Sequence, residues 1–193
     1  MKSKVMMKMD NLFNDLYGDV SKGISERAKQ IKLLICDVDG VFSDGRIYLG
    51  NNGEELKAFN TRDGYGIKAV QSAGIDVAII TGRQSKLVEQ RMKSLNVKHI
   101  YQGHENKVDA YQQMLDKLSL TPNQVAYIGD DIPDLAVMEK VGLSISVPDG
   151  HPYVKMKSDH ITSLKGGFGA VREVCDLLLI TQGHFGQFDG SSS

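Results

Sequence analysis

The chain has 193 residues, of which 41% are hydrophobic and 24% charged, and its formal net charge is −1. These values predict one soluble domain with a substantial core, and they give no indication of binding to nucleic acid or to an anionic membrane. The two cysteines are far apart and lack a CxxC arrangement, so neither a disulfide framework nor a zinc site is expected. No apolar run is long enough for a membrane span or a signal peptide, so a cytoplasmic location is expected.

The N-terminal part of the chain, about residues 1–27, is predicted to be a helical extension of this single domain. Residues 1–9 are mostly Met and Lys and are expected to be frayed. Leu12, Phe13 and Leu16 then follow at helical spacing. We expect the segment to cover one side of the domain.

The first predicted strand is a short apolar run, residues 31–36, that ends in two carboxylates, Asp37 and Asp39. The run is almost unbroken and rich in β-favouring residues, which is typical of a strand buried on both faces. In an open parallel α/β sheet, ligands bind at the carboxyl ends of the strands. Two acids there repel each other unless a cation or a shared proton compensates them. A solvated Asp-Gly turn explains this pattern, taken alone, equally well.

Residues 41–60 show the pattern of a β-hairpin and not that of a crossover helix. Residues 46–49 are strand-like, Gly50-Asn51-Asn52-Gly53 is a predicted turn, and residues 55–59 alternate again. We expect the hairpin to project from the carboxyl end of the sheet, over the two aspartates.

A helix over residues 67–73 and a second buried strand over residues 75–80 follow. The strand ends in Thr81, Gly82 and Arg83. A hydroxyl, a flexible glycine and a guanidinium at a strand end suit a phosphate oxyanion, because the hydroxyl donates one hydrogen bond and the guanidinium can donate two. The tripeptide alone does not define a site.

Two later segments add a lysine and three carboxylates. Lys107 begins a predicted helix over residues 107–118, where an ammonium and helix N–H groups can bind an anion. A solvated lysine at a helix start is the simpler interpretation of that residue in isolation. Asp130, Asp131 and Asp134 follow another buried strand, and hard oxygen ligands clustered in this way suit Mg²⁺.

The rest of the chain completes a repeating strand–helix pattern. The remaining predicted elements are a helix over 85–95, strands over 97–101 and 125–128, a helix over 135–140, a strand over 143–147, an edge strand over 160–162 and a helix over 170–180. This alternation predicts a doubly wound, Rossmann-like parallel α/β sheet. Residues 182–193 are rich in Gly and Ser and are expected to form a flexible tail. In such a sheet the polar residues at the carboxyl ends of the strands lie close together at one edge, which we call the mouth of the site. Lys107 is expected nearby.

Four motifs in this order resemble the haloacid dehalogenase-like hydrolase superfamily. They are Asp37-Val38-Asp39-Gly40, Thr81-Gly82-Arg83, Lys107, and Gly129-Asp130-Asp131-Ile132-Pro133-Asp134. The resemblance implies a phosphatase in which Asp37 attacks phosphorus and forms an aspartyl-phosphate, while Asp39 acts as general acid and then general base. It implies that Thr81 and Lys107 hold the phosphoryl oxygens.

The same resemblance implies a magnesium site. Mg²⁺ would bind between Asp37, the main-chain carbonyl of Asp39 and Asp130, where it reduces the repulsion between nucleophile and phosphate. Asp131 and Asp134 would form a further layer of carboxylates that orients waters or Lys107.

The gaps between the motifs are too short for a cap domain. Four further segments carry a narrower resemblance: residues 37–45, the hairpin, residues 59–66 and residues 166–173. Through them the sequence is similar, from about residue 28 to residue 183, to the family of 3-deoxy-D-manno-octulosonate 8-phosphate phosphatases. This resemblance implies a capless homotetramer of lipopolysaccharide biosynthesis, in which the hairpins form a central barrel. A neighbouring subunit and the C-terminal tail would help to close each site.

This family resemblance also suggests residues that contact the sugar phosphate. Arg83, next to Gly82, is a candidate for binding the substrate carboxylate or phosphate, and Arg62 and Asp63 are candidates for the sugar region. A charge pair at a helix start explains Arg62 and Asp63 equally well.

Three alternatives stay open. A close relative acts on nine-carbon sialic-acid-type sugar phosphates, a broad sugar phosphatase is possible, and a catalytically dead tetramerisation module would be a different class. The intact acidic and basic motif residues argue against the last. No role is predicted for His104, His151 or His160.

Overall fold

The structure is a computed structural model that describes residues 11–104 and 106–187. Its helices are α1 (Leu12–Tyr17), α2 (Lys22–Ala28), α3 (Thr61–Ser72), α4 (Lys86–Ser94), α5 (Lys107–Leu118), α6 (Leu135–Met138), α7 (Pro152–Lys157) and α8 (Ala170–Thr181). Its strands are β1 (Leu33–Cys36), β2 (Tyr48–Leu49), β3 (Glu55–Leu56), β4 (Asp76–Thr81), β5 (His99–Gln102), β6 (Val125–Gly129), β7 (Leu143–Ser146) and β8 (His160–Ile161). The predicted frayed segment, residues 1–9, lies outside the described residues.

Six of the strands form one sheet in the order β5-β4-β1-β6-β7-β8, and every neighbouring pair is parallel. This confirms the predicted fold class. The first strand is central, since Leu33 is level with Asp76 of β4 on one side and with Val125 of β6 on the other. The carboxyl ends of β1, β4 and β6 therefore meet at one edge of the sheet.

Helices cover both faces of the sheet, and successive side chains of β1, β4 and β6 enter two separate apolar clusters. In β1, Leu34 and Cys36 pack with side chains of α1–α4 and α8, whereas Leu33 and Ile35 pack with those of α5–α7. All four side chains are fully buried. Burial of an aliphatic side chain of this size contributes roughly 1.5–3 kcal/mol, which explains why the central strand is continuously apolar.

Helix α3 begins at Thr61, so the predicted start at residue 67 was wrong. The side chain of Asn60 accepts a hydrogen bond from a backbone N–H of the first turn and caps the helix. Glycines in the early turns made this segment resemble a loop. In the structure they allow close packing: a Cβ on Gly66 would lie 3.0 Å from the Cβ of Cys175 in α8.

The β-hairpin is present, with strands shorter than predicted. Tyr48 pairs with Leu56 and Leu49 with Glu55 in the antiparallel register. Among the described residues, the segment between β1 and α3 contains this hairpin and turns, and the segment between β4 and α5 contains α4 and β5. Both segments are too short for a cap domain. No helix among the described residues has the length and apolar character needed to cross a bilayer.

Two features near the C-terminus were not foreseen. The short helix α7 was not predicted. The side chain of Gln182, the first residue of the predicted flexible tail, donates hydrogen bonds to the carbonyls of Ala28 and Ile31, both at 3.0 Å. The described start of that segment therefore lies against the domain, while residues 188–193 lie outside the described part of the chain.

Candidate active site

The carboxyl end of β1 carries the first acid of the site. The backbone N–H of Asp37 donates to the carbonyl of Ile128 at 3.0 Å, and the residue is 6% exposed. The chain then turns, and Gly40 adopts a φ of 91°. A Cβ at that position would lie 2.1 Å from Oδ2 of Asp130. Glycine therefore allows the two acidic loops to approach each other closely.

Lys107 lies in the interior between two carboxylates. Its Nζ donates to Oδ1 of Asp37 at 2.8 Å and to Oδ1 of Asp134 at 2.6 Å, and it lies 3.4 Å from the hydroxyl of Tyr127. The helix that begins at Lys107 is capped by the side chain of Asn106. Burial opposes the charge on Lys107, but the two carboxylates outweigh burial and raise the pKa of the lysine.

Asp134 organises the loop that follows β6. Its Oδ2 accepts hydrogen bonds from the backbone N–H groups of Asp130 and Asp131, at 3.0 and 3.1 Å. Its Oδ1 accepts from the Tyr127 hydroxyl at 2.6 Å, in addition to the buried lysine. A Cβ on Gly129 would lie 2.5 Å from Cγ of Asp134, so the glycine makes room for this carboxylate. Asp134 thus contacts Lys107, the lysine that it was predicted to orient.

The acids at this edge fit a hard divalent cation. Asp37, Asp130 and Asp134 each offer one carboxylate oxygen, and these three atoms lie within 4.8 Å of one another. Oδ1 of Asp130 is buried and has no hydrogen-bond partner among the described residues. Since both oxygens of Asp134 already accept hydrogen bonds, Asp37 and Asp130 are the better ligands.

The pKa values of these acids also favour a bound divalent cation. Burial, followed by the charges of Asp37 and Asp134, raises the pKa of Asp130 to about 8. Burial and the charge of Asp134 raise the pKa of Asp37 to about 7, against the opposing effect of Lys107. A bound cation would favour the ionised form of both acids.

Asp39 lies apart from this acidic cluster and is paired with the hairpin. Its Oδ1 accepts a hydrogen bond from Nζ of Lys57 and another, at 3.4 Å, from the hydroxyl of Ser43. The metal ligand predicted at this position is the main-chain carbonyl of Asp39, and it stays a prediction.

Thr81, Gly82 and Arg83 lie at the same edge of the sheet as Asp37. Thr81 ends β4, next to the central strand, and is 3% exposed. A Cβ on Gly82 would contact nothing within 4 Å. Arg83 donates to Oε2 of Glu55 in the hairpin at 3.0 Å, so the guanidinium is held at the mouth by a carboxylate.

Arg62 and Asp63 serve the packing of α3 against α8. Arg62 donates to the carbonyl of Phe168 at 3.2 Å. Asp63 is fully buried, and its Oδ1 accepts from the backbone N–H of Arg172 at 2.8 Å. Burial raises the pKa of Asp63 to about 6, with that hydrogen bond opposing. Its burial gives no support to the predicted contact between Asp63 and a sugar.

Asp131 and two of the histidines act locally. Asp131 is exposed and accepts a hydrogen bond from the N–H of Ile132 at 2.8 Å. His151 caps α7 through the N–H of Tyr153. Burial lowers the pKa of His160. These three side chains lie outside the group formed by Asp37, Asp130 and Asp134.

The sequence analysis missed Lys57, Glu55 and Tyr127. A signal for the first two was available, because Glu55 and Lys57 are two residues apart in an alternating run and so project from the same side of the hairpin. Tyr127 is a buried residue of β6, and its hydroxyl had no partner that local sequence could identify.

This combination of acidic loops, a buried lysine and a parallel sheet is that of a hydrolase of the haloacid dehalogenase-like class. A model of the haloacid dehalogenase-like hydrolase family matches residues 99–172. The 3-deoxy-D-manno-octulosonate 8-phosphate phosphatase KdsC of Escherichia coli (strain K12) is 56% identical over 176 residues, which cover 91% of this chain and 94% of the relative.

Two crystal structures are similar to this fold over most of its length. The 3-deoxy-D-manno-octulosonate 8-phosphate phosphatase of Yersinia pestis shares 56% identity and a TM-score of 0.86, covering 87% of this chain and 91% of that one. The enzyme of the same name from Moraxella catarrhalis, in complex with a magnesium ion, a phosphate ion and KDO, shares 46% identity and a TM-score of 0.85. That match covers 88% of this chain and 97% of the other. The chain therefore belongs to the haloacid dehalogenase-like hydrolases, and within them to the family of 3-deoxy-D-manno-octulosonate 8-phosphate phosphatases.

Proposed function

We propose that the chain hydrolyses 3-deoxy-D-manno-octulosonate 8-phosphate to 3-deoxy-D-manno-octulosonate (Kdo) and inorganic phosphate, in the cytoplasmic stage of lipopolysaccharide biosynthesis. The observation that carries the chemistry is the carboxylate of Asp37, which is buried next to Lys107 and close to Asp130. Oδ1 of Asp130 has no hydrogen-bond partner in the described part of the chain. The choice of substrate is supported by the names of the relatives, which share more than half of their residues with this chain.

In the first step, a carboxylate oxygen of Asp37 attacks phosphorus and the bond between phosphorus and the sugar oxygen breaks. Asp39 gives its proton to that leaving oxygen. Lys107 and Thr81 would stabilise the phosphoryl oxygens. Because Asp134 already holds Lys107, the ammonium needs no rearrangement as charge develops.

In the second step, Asp39 takes a proton from a water molecule, which attacks phosphorus. The bond between phosphorus and Asp37 breaks, phosphate leaves, and the free carboxylate is restored. One aspartate thus serves as acid and then as base, and each hydrolysis leaves the protein unchanged.

Asp37, Asp130 and the main-chain carbonyl of Asp39 would hold Mg²⁺. The bound ion supplies positive charge that reduces the repulsion between the Asp37 carboxylate and the substrate phosphate. The magnesium complex of the Moraxella catarrhalis relative supports the choice of metal.

Arg83 is our candidate for the anionic groups of the substrate. Its side chain is 44% exposed at the mouth, and its pairing with Glu55 can be exchanged for a carboxylate or phosphate of the ligand. Gly82 leaves open space beside it. Arg62 is exposed and stays a proposed contact of the sugar region.

Phosphate release with Mg²⁺ across a panel of sugar phosphates tests the proposed function. We expect strong preference for 3-deoxy-D-manno-octulosonate 8-phosphate over a nine-carbon sialic-acid-type sugar phosphate, and we expect EDTA to abolish turnover until Mg²⁺ is restored in excess. Asp130→Asn should raise the Mg²⁺ concentration needed for half-maximal activity, because a ligand carboxylate is lost. Equal activity on many small phosphates would contradict the substrate assignment, and turnover that survives chelation would contradict the metal dependence.

We further infer that the hairpin assembles a homotetramer. Its strands and stem expose large apolar side chains, with Leu49 73% exposed, Leu56 62% and Ile47 56%. Apolar side chains grouped in this way on a projecting hairpin are typical of a surface covered by a partner. The assembly is the one that the family resemblance implies.

Leu56→Asp is expected to lower the oligomeric mass measured by size-exclusion chromatography with light scattering, because the charge would be buried in the subunit contact. Met156→Asp is the matched control, since Met156 is 80% exposed on α7 and is not part of the hairpin. A monomeric wild type, or a Leu56→Asp variant with unchanged mass, would show that the hairpin does not form the contact.

A further inference from the structure

A lysine of the hairpin contacts the aspartate that would transfer protons. We propose that Lys57 is a positioning residue that fixes the carboxylate of Asp39 for proton transfer, so that the hairpin becomes part of the catalytic apparatus. The inference rests on the phosphatase function proposed above, and on the contact between Nζ of Lys57 and Oδ1 of Asp39.

The burial of Lys57 shows that this contact is more than a surface ion pair. The Lys57 side chain is 3% exposed, whereas that of Asp39 is 25% exposed. Removing an ammonium from water is costly unless a carboxylate and hydrogen bonds compensate for the lost solvation. Exposed lysines of a hairpin would instead extend into solvent and contribute little. The fold thus buries the lysine side chain against the carboxylate of Asp39.

The contacts also distinguish the two oxygens of Asp39. Among the described residues, both hydrogen bonds to its side chain, from Lys57 and Ser43, are made to Oδ1. The Ser43 hydroxyl is buried and also lies 3.4 Å from the carbonyl of Val38, within the same turn. Oδ2 is left as the oxygen for exchange of a proton. Two donors on one oxygen restrict rotation of the carboxylate. A catalytic group that is held in position reacts faster than one that rotates freely.

The hairpin is attached to the site at a second point. Glu55 of β3, two residues before Lys57, pairs with Arg83, which follows the end of β4. The hairpin is therefore held across the mouth by one contact to the proton-transfer residue and one to the proposed substrate-binding arginine. Displacement of the hairpin would release both side chains together.

This role predicts a specific kinetic defect. Lys57 contacts no reacting atom in this arrangement, so its loss should lower kcat with little change in KM. Asp39 must protonate the sugar oxygen when it leaves, whereas p-nitrophenolate is a stable anion that needs no proton. A misplaced Asp39 therefore slows the first step for the sugar phosphate and spares that step for p-nitrophenyl phosphate.

The experiment compares wild type, Lys57→Met and Lys57→Arg on 3-deoxy-D-manno-octulosonate 8-phosphate and p-nitrophenyl phosphate, with single-turnover release of the leaving group and steady-state phosphate release. Lys98→Met, an exposed lysine, is the matched control. For Lys57→Met we expect kcat on the sugar phosphate to fall about tenfold to a hundredfold, part of the 10²–10⁴-fold that a positioned acid–base group contributes. Single-turnover nitrophenolate release should stay near the wild-type rate, and Lys57→Arg should recover much of the loss.

A double-mutant comparison completes the test. In the Asp39→Ala background, Lys57→Met should cause no further loss, because it acts only through that carboxylate. Three results would overturn the inference. They are a rise in KM with unchanged kcat, an equal slowing of the release of both leaving groups, and additive losses of kcat in the double mutant. If Lys57→Met does not fold, Lys57→Gln and Lys57→Arg carry the same comparison. If the wild type does not hydrolyse the sugar phosphate, the proposed function is refuted. If the wild type is active and Lys57→Met is equally active, only the inference is refuted.

Discussion

Asp37→Asn is expected to lower the turnover of 3-deoxy-D-manno-octulosonate 8-phosphate by at least about 10⁴-fold, because an amide cannot act as the nucleophile. The fold should survive, since the amide oxygen can still accept the hydrogen bond that Lys107 makes to Oδ1 in the wild type. Single-turnover assays and the trapping of phosphorylated protein measure the loss directly, and circular dichroism reports on the fold.

The control for this substitution is Asp76→Asn, which makes the same chemical change at an exposed position where β4 begins. Asp76 lies at the opposite end of the strand from Thr81 and should leave turnover unchanged. Substantial phosphate release by Asp37→Asn, with Asp76→Asn behaving as wild type, would mean that another group attacks phosphorus.

Lys107→Met is expected to reduce the free energy of unfolding by about 3–5 kcal/mol at neutral pH, besides removing activity. The substitution leaves Asp37 and Asp134 buried side by side without the cation that both of them contact. Urea denaturation in the presence of EDTA measures the change without interference from metal. Lys117→Met, an exposed position on the same helix, should shift stability by no more than about 0.5 kcal/mol.

The effect of Lys107→Met should depend on pH in a defined direction. Burial already raises the pKa of Asp37 to about 7, above the usual 3.8. An acid with a raised pKa in the folded state favours folding when protonated, and it loses that contribution as pH rises between these values. Removing the lysine raises the pKa of Asp37 further, so wild type and variant lose this contribution in parallel up to about pH 7, and the deficit of the variant should grow as the pH rises above 7. A deficit that is independent of pH would show that packing of the lysine stem, and not its charge, stabilises the fold.

Much of the fold could be predicted because β1, β4 and β6 are built on short apolar runs and polar residues follow each run directly. The burial of β1 on both faces was predicted from its almost unbroken apolar run, and the structure buries all four of its residues. The start of α3 could not be predicted. Its glycines weaken helix propensity, and the reason for them is a close contact between Gly66 and Cys175, far apart in sequence.

Part of the candidate site could also be predicted from the sequence. Asp37, Lys107 and Asp130 were identified from their positions at element ends, and the structure brings them together. The pairing of Asp39 with Lys57 was not, because it depends on how the hairpin folds back over the sheet. The periodicity of a sequence predicts which face of a helix or strand a side chain lies on. It does not predict which other element packs against that face.

The order of strands in the sheet has a consequence for biosynthesis of the protein. The central strand β1 is made early, yet its partner β6 and the Asp134 loop follow about half a chain later. Such non-local pairing is slow to form, because the intervening loop must close first. During translation Asp37 therefore lacks both Lys107 and the acidic loop until the ribosome has passed residue 134. The nascent chain should be without phosphatase activity until the second half has emerged and docked, and a fragment that ends before β6 should gain activity only when the missing segment is added in trans.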